Sequence, residues 1–360
     1  MKTYKHLYER ICAFDNLLLA FDKAKRHKRM KPYVAEFEYN LEHNLLRLEE
    51  ELQNETYQPG AYTNFQIYEP KQRLVSAAPF RDRVVHHALC NVIEPIWEAR
   101  FIHDSYACRK GRGMHAALLR AHAWVKQYPY ALKGDIVKFF PSIDHAILLD
   151  ILRGKIADAR ALNLAARILA SGEGILAGEY PMHWFPGDDL FAVNRPRGLP
   201  IGNLTSQFWA NVYLNELDQF VKRELKCPAY LRYADDFLLF DDDKAHLWEW
   251  LGAIQKFLER VRLVAHPRKS TVLAVTCGVD WLGFRLLPTH RRLRRANVRR
   301  AFRRLTRQRA AYARGDISGA QLDASVRSWV AHAQWGDTHG LRRRVLGQCA
   351  FAREDIVSAK

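Results

Sequence analysis

Two adjacent acidic residues in an apolar setting are the most informative feature of this sequence. Asp235 and Asp236 separate two short apolar runs in Tyr230-Leu-Arg-Tyr-Ala-Asp-Asp-Phe-Leu-Leu-Phe-Asp241. Neighbouring carboxylates raise each other's pKa, so that their charged forms are unfavourable. A divalent cation such as Mg²⁺ removes this penalty, because it binds carboxylate oxygens together with the phosphates of a substrate. The segment predicts a metal-dependent phosphoryl-transfer site, and a solvated acidic turn is the simpler alternative.

A third carboxylate strengthens the catalytic interpretation. Residues 130–140 are predicted to form a strand that carries Asp135 and is closed by Pro141. We expect the three acids to converge at one edge of a sheet. Two-metal phosphoryl transfer needs such a cluster, because one ion activates the attacking oxygen and the other stabilises the leaving oxygen.

The composition favours a globular, nucleic-acid-binding protein. The 360 residues include 56 Lys and Arg against 39 Asp and Glu, which gives a formal net charge of +17. A content of 48% hydrophobic and 26% charged residues excludes a mostly disordered or collagenous chain. The excess of positive charge indicates a polyanionic partner, most simply a nucleic acid, although a merely basic enzyme is the alternative.

The positive charge is concentrated near the end of the chain. Eleven arginines and no acid lie between Arg285 and Arg309. Val298, Phe302 and Leu305 continue an apolar stripe at helical spacing through this run. The pattern predicts a folded basic helix and not a disordered tail.

The sequence also favours a cytoplasmic location. The first thirty-one residues lack the order of a secretory signal, and no apolar run approaches the length of a membrane span, about 18 residues. The 6 cysteines include no C-x-x-C pair, so that neither a zinc site nor a disulfide framework is indicated.

Periodicity predicts the elements around these motifs. The first sixty residues are predicted to be helical, and residues 62–68 and 73–77 to form a hairpin around a turn at 69–72. Further helices are predicted at residues 81–97, 114–126, 144–171, 201–225 and 244–261. We expect an irregular insertion at 172–197, strands at 273–275 and 281–287, and a domain boundary near Leu287-Pro288.

The order of the motifs resembles the palm of reverse transcriptases. The matching motifs are Asp135…Phe140, Leu199-Pro-Ile-Gly-Asn-Leu-Thr-Ser-Gln207, the Tyr-Ala-Asp-Asp segment, Lys269, and Trp281-Leu-Gly-Phe284. Two upstream motifs look like the fingers of bacterial, group II intron-like members, namely Arg81-Asp-Arg-Val-Val and Ser105-Tyr-Ala-Cys-Arg-Lys-Gly-Arg-Gly113.

The resemblance covers residues 65–287 and implies an α+β fold, the right-hand polymerase. Its fingers and palm, an antiparallel sheet plus helices, would occupy residues 61–287. A basic helical thumb would occupy residues 288–360, after an N-terminal helical region at 1–60.

The resemblance also implies roles for individual residues. Asp135, Asp235 and Asp236 would hold two Mg²⁺ ions, for which Mn²⁺ could substitute, and Lys269 would protonate the departing pyrophosphate. The nucleotide-binding residues would be Arg73, Arg81, Phe140 as a steric gate against ribose, Ile201, Gly202 and Gln207. The nucleic-acid-binding residues would be Arg109, Lys110, Arg112, Gly283 in the primer grip, Arg299, Arg300, Arg303 and Arg304.

Blander interpretations compete with several of these roles. Phe140 could be an ordinary core aromatic, and residues 281–284 a plain buried strand. Arg73 and Arg81 could face solvent or contact the template backbone, and Lys269 could be a surface lysine.

One departure from the common pattern points to a particular branch. The segment 199–207 corresponds to the fourth motif of reverse transcriptases. Most members carry Gln before the glycine of this motif and end it with Ser-Pro, whereas this chain has Ile201-Gly202 and Ser206-Gln207. The departure is similar to reverse transcriptases of diversity-generating retroelements, which copy a template-repeat RNA with errors at adenines. This branch implies as partners the template-repeat RNA, a cDNA or primer strand, dNTPs and a small basic oligomeric accessory variability protein.

The physical chemistry of Ile201 agrees with error-prone copying. Gln can form a hydrogen bond beside the nascent base pair, whereas an apolar wall discriminates between substrates by only about 1–3 kcal/mol. Two alternatives remain open: a retron, group II intron-type or phage-defence reverse transcriptase, and a non-catalytic RNA-binding protein or splicing cofactor. The intact acids Asp135, Asp235 and Asp236 argue against the second.

Overall fold

A computed structural model describes residues 3–68 and 72–348, which form a mixed structure of helices and three sheets. In chain order, the described α-helices α1 to α14 are Tyr8–Cys12, Phe14–Ala24, Pro32–Tyr39, Leu41–Gln53, Phe80–Glu98, Met114–Gln127, Phe139–Ser142, His145–Arg153, Ala159–Ala170, Leu204–Gln219, Lys244–Arg260, Arg295–Ala313, Gly319–Ala333 and His339–Gln348. The described strands β1 to β9 are Thr63–Ile67, Arg73–Ala77, Tyr130–Gly134, Tyr230–Tyr233, Asp236–Asp241, Thr271–Ala274, Val279–Trp281, Phe284–Leu286 and Arg291–Leu293.

The strands form three sheets. β1 and β2 pair antiparallel with Phe65 opposite Val75, which confirms the two strands of the predicted hairpin. Of its predicted turn at 69–72, residues 69–71 lie outside the described residues. The second sheet has the order β4-β5-β3-β6, in which β3 and β6 are antiparallel with Leu132 opposite Val272. The third has the order β7-β8-β9.

The chain divides into two compact units. Unit 1 comprises Met1–Arg112, Gly134–Phe237 and Glu249–Ser270, and unit 2 comprises Gly113–Lys133, Leu238–Trp248 and Thr271–Lys360. The three consecutive segments expected from the sequence stay a prediction. The third sheet crosses the expected boundary at residue 287, since β8 pairs with β9.

Unit 1 is built around two buried helices. Helix α5 packs against α2 and α10. Large side chains of α10, including Trp209 and Tyr213, are almost fully buried. Polar residues of the same helix, among them Asn211 and Asp218, are buried as well, so that α10 lies inside the core of unit 1.

Two predicted elements are shorter than the sequence suggested. The helix expected at 144–171 is split into α8 and α9, because the Asp158 carboxylate accepts hydrogen bonds from the backbone N–H groups of Leu7, Tyr8 and Ala161 and caps α9. The strand expected at 130–140 ends at Gly134, and Pro141 lies inside the short helix α7. The insertion at 172–197 is irregular, as predicted, apart from short 3₁₀ turns.

Unit 2 contains the basic helix expected from the arginine run. Within α12, Leu305 is completely buried and Ala301 nearly so, while Arg299, Arg300 and Arg303 are exposed. Helix α13 packs against α12 and begins with a capping box at Ser318. Leu305 and Ala301 thus seat the helix, whereas Phe302 of the predicted stripe is 38% exposed, and Arg299, Arg300 and Arg303 face solvent.

The structure describes the helices and cysteines that bear on two expectations, namely the absence of a membrane span and of a disulfide framework. Within the described ranges, every helix falls short of the length or apolar character needed to cross a bilayer. Five cysteines are free thiols, namely Cys12, Cys90, Cys108, Cys227 and Cys277, and Cys349 lies outside the described residues.

Candidate active site

The two adjacent acids lie on a tight turn of unit 1. Strand β4 ends at Tyr233 and β5 begins at Asp236, so that Ala234 and Asp235 form the turn. Ala234 has a φ of +54°. A left-handed conformation costs an L-residue about 1–2 kcal/mol, and such backbone strain is concentrated at functional sites. The turn leaves both acids half-buried.

The third acid is held by the segment that precedes β6. The Lys269 ammonium donates to Oδ2 of Asp135 at 2.7 Å. The backbone N–H of His266 donates to the carbonyl of Asp135 at 2.7 Å. The structure therefore brings Asp135 and Lys269 together, although they are 134 positions apart in the sequence.

The acids share one electrostatic environment. Burial raises the pKa of the Asp235 carboxyl above its usual value, and the charge of Asp135 raises it further, while Arg73 and Lys269 act in the opposite direction. A divalent cation would relieve both unfavourable effects, and carboxylate oxygens are the ligands that Mg²⁺ prefers. The donor chemistry therefore fits Mg²⁺.

The assembly of the three acids around a metal ion stays a prediction. In the part of the chain that the structure describes, no three His, Cys, Asp or Glu side chains are arranged closely enough to hold a metal ion. The Asp135 carboxylate instead binds the Lys269 ammonium. A metal ion would have to compete with the Lys269 ammonium for the Asp135 carboxylate.

The fourth motif is fastened to the strand β2. The carbonyl of Ile201 accepts a hydrogen bond from the backbone N–H of Ser76 at 2.8 Å. Gly202 has a φ of +120°, and a Cβ there would lie 2.9 Å from Val75 Cγ1. Only glycine adopts this φ and fits this close to Val75 without strain. Together with the bond from Ser76, this fixes the position of Ile201 relative to the hairpin.

Asn203 is a residue that the sequence analysis missed. Its buried side-chain amide accepts from the backbone N–H of Ala78 at 3.2 Å and donates to the carbonyl of Ser76 at 3.0 Å. It stands at the N-cap of α10 but makes no side-chain cap bond. From the sequence, an Asn before a helix predicts a helix N-cap. Only the fold shows that the side-chain amide of Asn203 instead bonds the backbone at the end of the hairpin.

The other residues expected to bind the nucleotide lie in different settings. Arg73 is exposed at the start of β2 and acts electrostatically on Asp235. Arg81 forms an ion pair with Glu51 and lies over the Tyr57 ring, and its guanidinium is therefore already engaged.

Two further nucleotide-binding candidates are accessible. Phe140 is half-buried on α7 and contacts Phe139 edge to face, with ring centroids 5.5 Å apart. Gln207 is exposed in the first turn of α10. Both therefore remain candidates for contact with a nucleotide.

The side chain of Arg109 is buried within the loop that is expected to contact nucleic acid. It is only 5% exposed, forks onto the Glu98 carboxylate, and donates to the carbonyls of Ile102 and Ser105. In the structure, Arg109 therefore holds the loop together through these bonds. Lys110 is exposed, and Arg112 is half-buried and donates to His103.

The segment expected to form the primer grip is a hairpin turn and not a plain strand. Leu282 and Gly283 have φ values of +45° and +87° between β7 and β8, while Trp281 and Phe284 are buried. The Gly283 carbonyl accepts from the backbone N–H of Arg294 and the side chain of Asn297, each at 3.0 Å. The turn thus anchors the beginning of α12. Farther along α12, Arg304 is half-buried, whereas Arg299, Arg300 and Arg303 are exposed.

This chain is similar to one described family and to several known proteins. The family described as "Reverse transcriptase (RNA-dependent DNA polymerase)" matches residues 69–286. Protein YkfC of Escherichia coli (strain K12) is 27% identical over 282 residues, which cover 67% of this chain and 70% of that protein. Group II intron-encoded protein LtrA of Lactococcus lactis subsp. cremoris is 27% identical over 183 residues, which cover 50% of this chain and 28% of that protein.

A solved structure shows a more distant likeness. Telomerase from Candida albicans, in complex with a fragment of telomeric RNA, superimposes with a TM-score of 0.43 at 11% sequence identity, covering 66% of this chain and 46% of that chain.

The family match contains Asp135, Asp235, Asp236 and Lys269, whereas the arginine-rich helix α12 begins after it.

Proposed function

This chain belongs to the reverse transcriptase (RNA-dependent DNA polymerase) family and is an RNA-directed DNA polymerase, and we propose that it copies a template-repeat RNA with low fidelity in a diversity-generating retroelement. The observation that carries the proposal is Ile201-Gly202 together with Ser206-Gln207 in the fourth motif. In the structure, the carbonyl of Ile201 is bonded to β2, the strand that also carries Arg73.

The three acids and Lys269 would carry the chemistry. Asp135, Asp235 and Asp236 would hold two Mg²⁺ ions, which when bound activate the attacking oxygen and stabilise the leaving one. The Lys269 Nζ, placed beside Asp135, would give its proton to the departing pyrophosphate. Arg73 would orient the triphosphate, since a guanidinium fork matches phosphate oxygens.

Two side chains would select the nucleotide. The Phe140 ring would occupy the space that a 2′-hydroxyl needs, so that deoxynucleotides are preferred. Ile201 would present an apolar surface to the nascent base pair. Because such a surface discriminates by only about 1–3 kcal/mol, incorrect pairs would be rejected weakly.

The basic residues would hold the template and the primer. Exposed arginines of α12, together with Lys110 and Arg112, would contact backbone phosphates. Such contacts supply affinity and register without reading sequence. The remaining proposed partners are dNTPs and a small basic oligomeric accessory variability protein.

A group II intron-type reverse transcriptase is the second candidate, and the match to LtrA favours it. The match spans only 28% of that protein, and the activity of the whole relative is therefore not carried over to this chain. Residues 201 and 207 separate the candidates, because they match the retroelement pattern.

Sequenced products would decide between the candidates. Purified chain, primed RNA and Mg²⁺ should yield cDNA whose errors are concentrated opposite template adenines, and the Asp235→Asn variant should yield none. Errors that are rare and evenly distributed over the four template bases would favour the intron-type enzyme.

A further inference from the structure

A fully buried arginine lies directly before the acidic turn. Arg232, in β4, has a side chain that is 0% exposed and pairs with Asp218 of α10, which is also 0% exposed. Nε donates to Oδ1 and Nη2 to Oδ2, both at 2.7 Å. Such a two-pronged pair offsets part of the loss of hydration that each buried charge suffers.

The other hydrogens of the guanidinium also have acceptors. Nη1 donates to Oδ1 of Asn211 at 3.1 Å and to the carbonyl of Ala234 at 3.0 Å, while Nη2 donates to Oγ of Ser105 at 3.1 Å. A guanidinium has five N–H groups, and all five are therefore satisfied. The Ala234 carbonyl belongs to the strained residue immediately before Asp235.

The backbone of Arg232 is held as firmly as its side chain. Its N–H donates to the carbonyl of Asp104 at 2.9 Å, and its carbonyl accepts from the N–H of Tyr106 at 3.0 Å. Asn211 donates to the carbonyl of Ala107 at 2.8 Å. One residue therefore connects the acidic turn, the buried helix α10 and the segment that leads into the loop of Lys110.

We propose that Arg232 is a positioning residue of the polymerase site, which holds the Ala234 carbonyl and thereby fixes the direction of the Asp235 and Asp236 carboxylates. The proposal rests on the proposed role of these carboxylates as metal ligands. Stability alone does not account for the charged pair, since well-packed apolar residues often replace a buried ion pair without loss. An apolar side chain cannot bond the Ala234 carbonyl.

The first test compares Arg232→Lys with a matched control, Tyr230→Phe. Lysine keeps the charge but lacks the planar fork, and it cannot reach Asp218 and Ala234 together. The Tyr230 hydroxyl donates to the same Asp218 at 2.7 Å, so that its removal weakens the pair and leaves the bond from Arg232 to the Ala234 carbonyl in place. The measurements are thermal unfolding, Mn²⁺ binding to the free enzyme by electron paramagnetic resonance, and kcat and KM for dNTP at a temperature where all variants are folded.

We expect both variants to unfold at a lower temperature than wild type. Only Arg232→Lys should lose Mn²⁺ affinity and kcat, by roughly 10- to 100-fold, which is typical when a residue that orients metal ligands is removed. Its KM for dNTP should change little. A second variant, Arg232→Met combined with Asp218→Leu and Tyr230→Phe, removes the charges together and protects the test against a failure to fold. It should also bind Mn²⁺ weakly.

Normal Mn²⁺ binding and kcat in folded Arg232→Lys or in the triple variant would overturn the proposal and leave Arg232 a purely structural role. Asp235→Asn, measured alongside, separates this failure from a failure of the metal assignment. If Asp235→Asn also binds Mn²⁺ normally, the assignment of the metal ligands fails and the proposal fails with it. If only Asp235→Asn loses binding, the positioning role alone is wrong.

Discussion

The ammonium of Lys269 lies 2.7 Å from Oδ2 of Asp135, and the lysine is much the more exposed partner, at 48% against 14%. The exposed ammonium has room to turn from the carboxylate toward a phosphate oxygen. Because Asp135 is mostly buried, a cation bound to its carboxylate would have to replace the lost charge of the lysine. The pair would hold Lys269 near the reacting groups without trapping it there.

Lys269 should act mainly on the chemical step. Lys269→Arg keeps the positive charge but holds its proton too tightly to give it up. We expect kcat for single-nucleotide extension to fall by roughly 10²–10⁴-fold, the usual contribution of a general acid, with KM for dNTP nearly unchanged. Rapid-quench measurements would test this. An unchanged kcat in the Arg variant would limit Lys269 to an electrostatic role.

Asp235→Asn should abolish primer extension and leave RNA binding nearly intact. Affinity for the template comes mainly from phosphate contacts on the basic surface, to which the acids contribute little. Extension assays and filter binding on one RNA would measure the two properties. Retained polymerisation would contradict the assignment of Asp235 as a metal ligand.

The same substitution should stabilise the metal-free protein at neutral pH. Burial raises the pKa of Asp235, and a carboxyl with a higher pKa in the folded state binds its proton more tightly there. The folded state therefore loses stability as the pH rises from about 4 through the folded-state pKa. Chemical denaturation in EDTA should show Asp235→Asn more stable than wild type at pH 7. This gain should shrink as the pH falls toward about 3, below the unfolded-state pKa.

The sequence predicted local elements and the order of the motifs well, and long-range pairs poorly. The hairpin of β1 and β2 and the turn of Asp235 and Asp236 follow from apolar alternation and turn residues close together in the chain. By contrast, Arg81 and Arg109 look like basic residues available for phosphates. Glu51 and Glu98 engage them only once the helices are packed.

Buried polar pairs show the same limit more strongly. Nothing in the sequence indicates that Arg232 would meet Asp218, because a strand residue and a helix residue share no periodic pattern. Likewise, the break between α8 and α9 depends on Asp158 bonding the backbone of residues 7 and 8. Such contacts arise from the tertiary fold and not from local propensity.

Helix α12 should bind nucleic-acid backbone without sequence preference. Replacing Arg299, Arg300, Arg303 and Arg304 by Gln should weaken binding to every template and flatten the dependence of log K on log salt by roughly one unit for each phosphate that is no longer bound. Fluorescence anisotropy between low and moderate salt would measure the slope. The control removes four exposed arginines of unit 1, namely Arg26, Arg29, Arg47 and Arg153. Equal slopes for both variants would mean that net charge matters and that α12 makes no specific contact.

The last prediction concerns fidelity and separates the two candidate enzymes. Ile201 is half-buried, and its backbone is fixed by β2, so a new side chain at this position should keep the same direction. Ile201→Gln offers a hydrogen bond to the nascent pair that is worth about 1 kcal/mol. Since about 1.4 kcal/mol corresponds to tenfold, misincorporation should fall several-fold. The fall should be concentrated opposite template adenines.

Ile201→Leu is the matched control, because it keeps an apolar side chain of the same volume, and its error spectrum should stay that of wild type. Sequenced cDNAs from the three enzymes on one RNA would give the rates. An adenine error rate that does not drop in Ile201→Gln would remove Ile201 as the determinant. A uniform drop at all four bases would show a general tightening of the site, and the adenine preference would then have to arise from another contact of the nascent pair.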